Sequence, residues 1–270
     1  MPYDDRQNAM VFSWFWRRRE LSPPVFLPEW EPILARTVLQ VRWLDAATEE
    51  KLRHFVALFL AEKRFEGCAG LAISDEMRLA IAGQAGLVTL GFAEACFTRL
   101  RSVLVYPGDY LGPRTTPLDG GGELEWKEAR AGETWAGGSM VLSWPGVRAG
   151  GRLRDGPRSV VIHECAHLVD LEDGDIDGVP PLPSARARRQ WVAAFDGCRC
   201  RFDEALDEGR STAFDDYAAE SPAEFFAVAS ECFFQDPHRL HRHDPLLYGL
   251  LVEAWRQDPK SRVPLHPGRG

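Results

Sequence analysis

The sequence has no run of about 18 consecutive apolar residues, the least that a membrane-spanning helix needs, so no span is expected. It also lacks a cysteine framework. The six cysteines (Cys68, Cys96, Cys165, Cys198, Cys200 and Cys232) form no C-x-x-C pair, and the one-residue gap between Cys198 and Cys200 is too short for a zinc ribbon or dithiol motif. They read as reduced thiols of a cytoplasmic protein, mostly core filler. Positive charge is short as well: 32 Lys plus Arg stand against 40 Asp plus Glu, a net charge of -8. A surface of that sign repels phosphate backbones and argues against nucleic acid as a direct partner. No repeat period and no long linker interrupt the 270 residues, of which 45% are hydrophobic and 27% charged. One large domain is the simplest organisation.

The apolar run Met10–Trp16 precedes Arg17, Arg18 and Arg19, the reverse of the order in a secretory signal. It reads as an arm docking its aromatic residues on the domain, with a membrane-surface or partner contact through Trp14, Phe15 and Trp16 as the alternative. Pro23, Pro24, Pro28 and Pro32 make residues 20–32 an extended lead-in. The expected division is therefore an arm and lead-in over 1–32 and the main domain over 33–270. Asp45 predicts the cap of a helix reaching about Lys63, with Leu52, Phe55, Val56, Phe59 and Leu60 on its buried stripe. Ser74 or Asp75 starts a second helix to about Thr89. Leu71–Ile73, Ser102–Tyr106 and Leu124–Glu128 are strand candidates. Met140–Trp144 is a further strand, a candidate for the sheet edge beside the site, where an extended peptide could pair with it, with a buried strand that meets no substrate as the alternative.

The segment His163-Glu164-Cys165-Ala166-His167 carries the chemistry. Histidines at i and i+4 share one helix face, and their nitrogens can bind one Zn²⁺ at about 2.0–2.1 Å each. Glu164 between them reaches a water on the metal. With this histidine content, a chance H-E-x-x-H arises in roughly one or two such chains per hundred. A catalytic zinc also needs a third protein ligand and an open position. Ser221-Pro222-Ala223-Glu224 reads as the start of a second helix, with Ser221 as N-cap, Pro222 at N1 and Glu224 at N3. Spacing leaves two candidates for that ligand, Glu224 and Glu231, seven residues apart on one face. Asp170 is a candidate to hold a histidine N–H, with a helix-terminal surface acid as the alternative. Asp173 to Gly178 imitates a calcium loop, but Ser184 stands where glutamate is needed and Pro180, Pro181 and Pro183 break the second half. His238, His241 and His243 have no cysteine or acidic ligand at zinc-finger spacing, and Arg186, Arg188 and Arg189 read as an exposed helix face opposite Trp191 and Phe195.

The runs H-E-x-A-H-x-x-D, G-D-x-x-x-G-V-P and Y-A-A-x-x-P-A-E-x-F-A-V-x-S-E-x-F-F together resemble the Mlc titration factor A family. That is a cytosolic family of zinc-dependent peptidases of the gluzincin type, with a site similar to that of anthrax lethal factor. The resemblance implies an α+β, zincin-like domain with the HExxH active-site helix, a second ligand-bearing helix and a small mixed sheet. It implies one Zn²⁺ held by His163, His167 and Glu224, with Glu164 as general base and Tyr217 as the oxyanion-stabilising tyrosine. Glu231 then falls outside the ligand set, beside a ligand or on a helix face. It further implies aminopeptidase-like activity on peptides, and binding of a transcriptional repressor of the Mlc type as a second or even main role. Because the likeness begins at Met10-Val-Phe-Ser-Trp, Met10 is an expected alternative start.

Overall fold

The computed structural model describes residues 24–92, 97–108, 138–152 and 156–265, together with the course of three strands between 110 and 135. The arm at Met10–Trp16 and the glycine run at 120–122 lie outside the described residues.

Short polar side chains start most of the helices, as their chemistry dictates. Asp45 accepts the Thr48 N–H at 2.8 Å and opens α2 (Ala46–Glu62). Ser74 does the same for α3 (Asp75–Thr89), Ser143 for α4 (Trp144–Gly150) and Ser159 for α5 (Val160–Asp170). Ser184 caps α6 (Ala185–Asp207), Ser221 caps α7 (Pro222–Gln235), Asp236 caps α8 (Pro237–His243) and Asp244 caps α9 (Pro245–Trp255). The expected cap residues Asp45, Ser74 and Ser221 are among them. The proline-rich lead-in does not stay extended: Pro28–Trp30 form a 3₁₀ turn and α1 runs over Glu31–Thr37, because proline is well accommodated in a first helical turn.

The main sheet has the order β1 (Arg64–Gly67), β2 (Ser102–Tyr106), β6 (Ser139–Ser143), β5 (Gly132–Trp135). The first three are parallel and β5 runs antiparallel to β6. β3 (Tyr110–Pro117) and β4 (Glu123–Arg130) form a separate antiparallel hairpin. Two expectations are corrected here. The strand is Arg64–Gly67, whereas Leu71–Ile73 follow a turn at Ala69 and Gly70, both with positive φ, and pack on the core from a loop. And β6 is not an edge: it is bonded to β2 on one side and β5 on the other, and Met140 to Ser143 are buried on both faces. An inner strand of this kind reads as a continuous apolar run. The result is a mixed, helix-dominated fold around a small sheet.

The core explains the positions of the helices. In α3 every residue from Leu79 to Thr89 is buried, because α1, α2 and α5 surround it. A methyl group at Gly86 would come within 2.4 Å of Leu52, so glycine there allows α2 its close approach. In α7 the run Phe225–Gln235 is buried on all sides. Its Phe226 stacks on Trp255 of α9 at 5.6 Å and 12°, and Phe225 meets Phe195 of α6 edge-on. These contacts tie α7 to α6 and α9, and α7 itself packs directly against α5.

The loop after α5 is held from below. Asp170, fully buried, accepts the N–H groups of Gly178 and Val179, each at 2.9 Å. Gly178 has φ +77, and a Cβ there would lie 2.5 Å from the Pro222 carbonyl at the start of α7. Gly178→Ala should therefore destabilise the protein by about 1–3 kcal/mol through backbone strain and collision. Urea unfolding of wild type and variant measures it; an unchanged midpoint would show that the loop yields freely.

Candidate metal centre

The centre is assembled from α5 and α7. One helical turn separates His163 from His167, so their rings sit together, with centroids 4.8 Å apart and Nε2 atoms 3.1 Å apart. Glu224 enters from the first turn of α7. Its backbone N–H serves the Ser221 cap at 3.1 Å, which leaves the side chain for the centre. One carboxylate oxygen lies 3.1 Å from His163 Nε2 and the other 3.6 Å from His167 Nε2. The donor atoms of His163, His167 and Glu224 all lie within 4.8 Å of one another. The three side chains keep 13%, 14% and 21% of their surface exposed, so the cluster opens to solvent on one side.

Two imidazole nitrogens and a carboxylate oxygen are a donor set suited to Zn²⁺. The Glu224 oxygen nearest His163 is buried and receives no well-formed hydrogen bond, as expected of an atom directed at a shared cation. The electrostatics agree. Burial works to lower the His163 pKa, but Glu224 and Glu231 against its two nitrogens outweigh it and hold the ring well above the ordinary histidine value. Burial would raise Glu224, yet the two imidazoles hold its carboxyl far below the usual range. The cluster calls for positive charge at its middle.

The neighbouring residues divide as follows. Glu164 is 2% exposed on α5 between the two histidines. Tyr217, in the 3₁₀ turn Asp216–Ala219, is 41% exposed and sets its ring 6.1 Å from that of His163. Glu231 places one oxygen 2.8 Å from His163 Nδ1 and accepts the Ser159 N–H with the other at 2.5 Å. Asp170, the candidate to hold a histidine N–H, gives its two oxygens to the loop amides instead, and burial, opposed by those bonds, raises its pKa. The histidine-holding carboxylate is Glu231, on the other helix.

Sequence reasoning did not reach Ser159 or Gln84, whose hydroxyl and carboxamide oxygen meet at 2.8 Å behind the centre. Ser159 had a signal, a serine immediately before the first apolar helical residue; Gln84 had none. Arg158 pairs with Asp215 just before the Tyr217 turn. Arg188 grips Asp173 and Asp177 at 2.6 Å each, so the loop resembling a calcium site is a salt-bridged brace, and His238 Nε2 bonds the Val263 carbonyl at 2.7 Å. Five cysteines are free thiols, with Cys165, Cys198 and Cys232 buried; Cys96 lies outside the described residues. Among the described residues no helix is long and apolar enough to cross a membrane.

Several proteins are similar to this chain over nearly its whole length. An uncharacterized protein of Synechocystis is 32% identical over 246 residues, covering 90% of this chain and 89% of that protein. Mlc titration factor A of Klebsiella pneumoniae is 30% identical over 255 residues, 93% of this chain and 94% of the relative. The protein of the same name from Serratia proteamaculans is 28% identical over 258 residues, 94% and 95% of the two chains. The profile of the glucose-regulated metallo-peptidase M90 family matches residues 12–256, a range that includes both helices of the centre. This chain therefore belongs to the glucose-regulated metallo-peptidase M90 family.

Proposed function

We propose that the chain is a zinc-dependent peptidase of zincin-like architecture, with His163, His167 and Glu224 as ligands, Glu164 as general base and Tyr217 as oxyanion donor. In this reading residues 33–270 form the peptidase unit and 1–32 an arm. The observation that carries it is the convergence of two Nε2 atoms and a carboxylate at a solvent-accessible point, with Glu164 on the same helix. Zinc, when bound, supplies Lewis acidity, which lowers the pKa of water and polarises a carbonyl. Glu164 takes the proton of the attacking water and returns it to the leaving amine. The Tyr217 hydroxyl donates to the carbonyl oxygen as that atom gains negative charge.

The substrate is a peptide, cleaved in an aminopeptidase-like manner. β5, the outer strand of the main sheet, packs against α5 and takes over from β6 as the strand on which an extended peptide would lie. The name of the relatives, Mlc titration factor A, supports a second role in binding an Mlc-type transcriptional repressor in the cytoplasm. Digestion of a peptide library by zinc-loaded wild type, with zinc-loaded Glu164→Gln as the blank, tests the enzymatic reading. Equal, background cleavage by both would leave the binding role alone.

Two substitutions sharpen the assignment. Glu224→Ala removes one of three ligands and should leave the purified protein largely zinc-free, whereas Glu231→Ala should only weaken zinc, by about 10–100-fold. Elemental analysis of both folded proteins measures this, and the opposite ranking would exchange their roles. Tyr217→Phe deletes one hydroxyl and keeps the ring. The loss should fall on kcat rather than KM, on the order of 10²-fold, with zinc content unchanged. A kcat near the wild-type value at full zinc occupancy would return Tyr217 to a packing role.

A further inference from the structure

Glu231 is outside the proposed ligand set, yet both of its oxygens are committed at the back of the centre, and the residue is only 7% exposed. One oxygen meets His163 Nδ1 at 2.8 Å; the other accepts the Ser159 N–H at 2.5 Å. Ser159 is the N-cap of α5. Its hydroxyl accepts the Ile162 N–H at 3.2 Å and donates to Gln84 Oε1 at 2.8 Å. The Gln84 amide in turn donates to the carbonyls of Ala80 at 3.1 Å and Val147 at 3.0 Å. A buried chain of polar contacts thus joins α4, α3, the start of α5, α7 and the His163 ring, with each of these groups given a partner.

A carboxylate only accepts hydrogen bonds, so the Nδ1 facing it must carry the proton. In a neutral ring the other nitrogen, Nε2, then holds the lone pair, and Nε2 is the atom that faces His167 and Glu224. We infer that Glu231 is a positioning residue: it fixes the tautomer and orientation of His163, and the backbone N–H of Ser159 locks the carboxylate that does so. The contrast with His167 is direct. Its Nδ1 is buried and has no hydrogen-bond partner among the described residues, so no comparable carboxylate sets that ring. The inference rests on His163 being a ligand, as proposed above.

Glu231→Gln keeps the volume but offers one oxygen and one NH₂ where two acceptors are needed. With the NH₂ toward Ser159, two donors face each other. With the NH₂ toward His163, Nδ1 must accept, and the proton moves to Nε2, the nitrogen the metal needs. Ser159→Ala is the control: it loses the cap and the Gln84 contact but keeps the backbone N–H on Glu231.

Zinc affinities of wild type, Glu231→Gln and Ser159→Ala are read by competition with a chromogenic chelator, with circular dichroism and melting curves as checks on the fold. Glu231→Gln should bind zinc about 10–100-fold more weakly, whereas Ser159→Ala should melt earlier yet stay within about threefold of wild type. Histidine ¹⁵N–¹H spectra of zinc-loaded wild type should show the His163 proton on Nδ1. Wild-type affinity in Glu231→Gln, an equal loss in both variants, or a proton on Nε2 would each overturn the inference. Should Glu231→Gln fail to fold, the wild-type spectrum decides alone. Wild type that takes up no zinc would overturn the metal centre itself, a separate and recognisable result.

Discussion

The contact between α5 and α7 is the constraint on which the centre depends. Neither helix holds a three-ligand site alone: α5 contributes two imidazoles and Glu164, and α7 contributes Glu224 and Glu231. α7 is held in the core by residues with no chemistry, such as Phe225 and Phe226, buried against Phe195 and Trp255. Interiors packed at crystal-like density change shape little, so an apolar jigsaw sets positions to the tolerance that coordination requires.

Charge works against that packing. Glu164, Glu224 and Glu231 sit close together, and carboxylates taken out of water are costly unless paired. His163 meets Glu224 and Glu231 through its two nitrogens, and the Ser159 N–H takes the second oxygen of Glu231. In the proposed zinc reading, a bound cation would offset the negative charge that remains. Binding of that cation would then be coupled to stability.

Local chemistry was legible in the sequence and pairing over distance was not. The cap at Asp45, the helix that carries His163 and His167 and the start of α7 at Ser221 all follow from neighbouring residues, and the structure has them there. Whether Met140–Ser143 forms an edge depends on where β5 lies, and nothing within the strand records that. Its unbroken apolar run did suit an inner position. Asp170 stands near a histidine in sequence, which makes it a candidate partner, but its oxygens accept the amides of Gly178 and Val179. Glu231 was the converse case, 68 residues from His163 and in contact with it.

The separation of the two helices along the chain also orders events during synthesis. A ribosome that has just released α5 has made a segment with two imidazoles one turn apart, able to hold a metal only loosely. The third proposed ligand does not exist until translation has passed Glu224, and it comes to bear only when Ser221 has begun α7. Closure of the proposed centre therefore waits until α7 has been made. Truncated products ending before α7 would keep the H-E-x-x-H segment and yet lack the proposed third ligand.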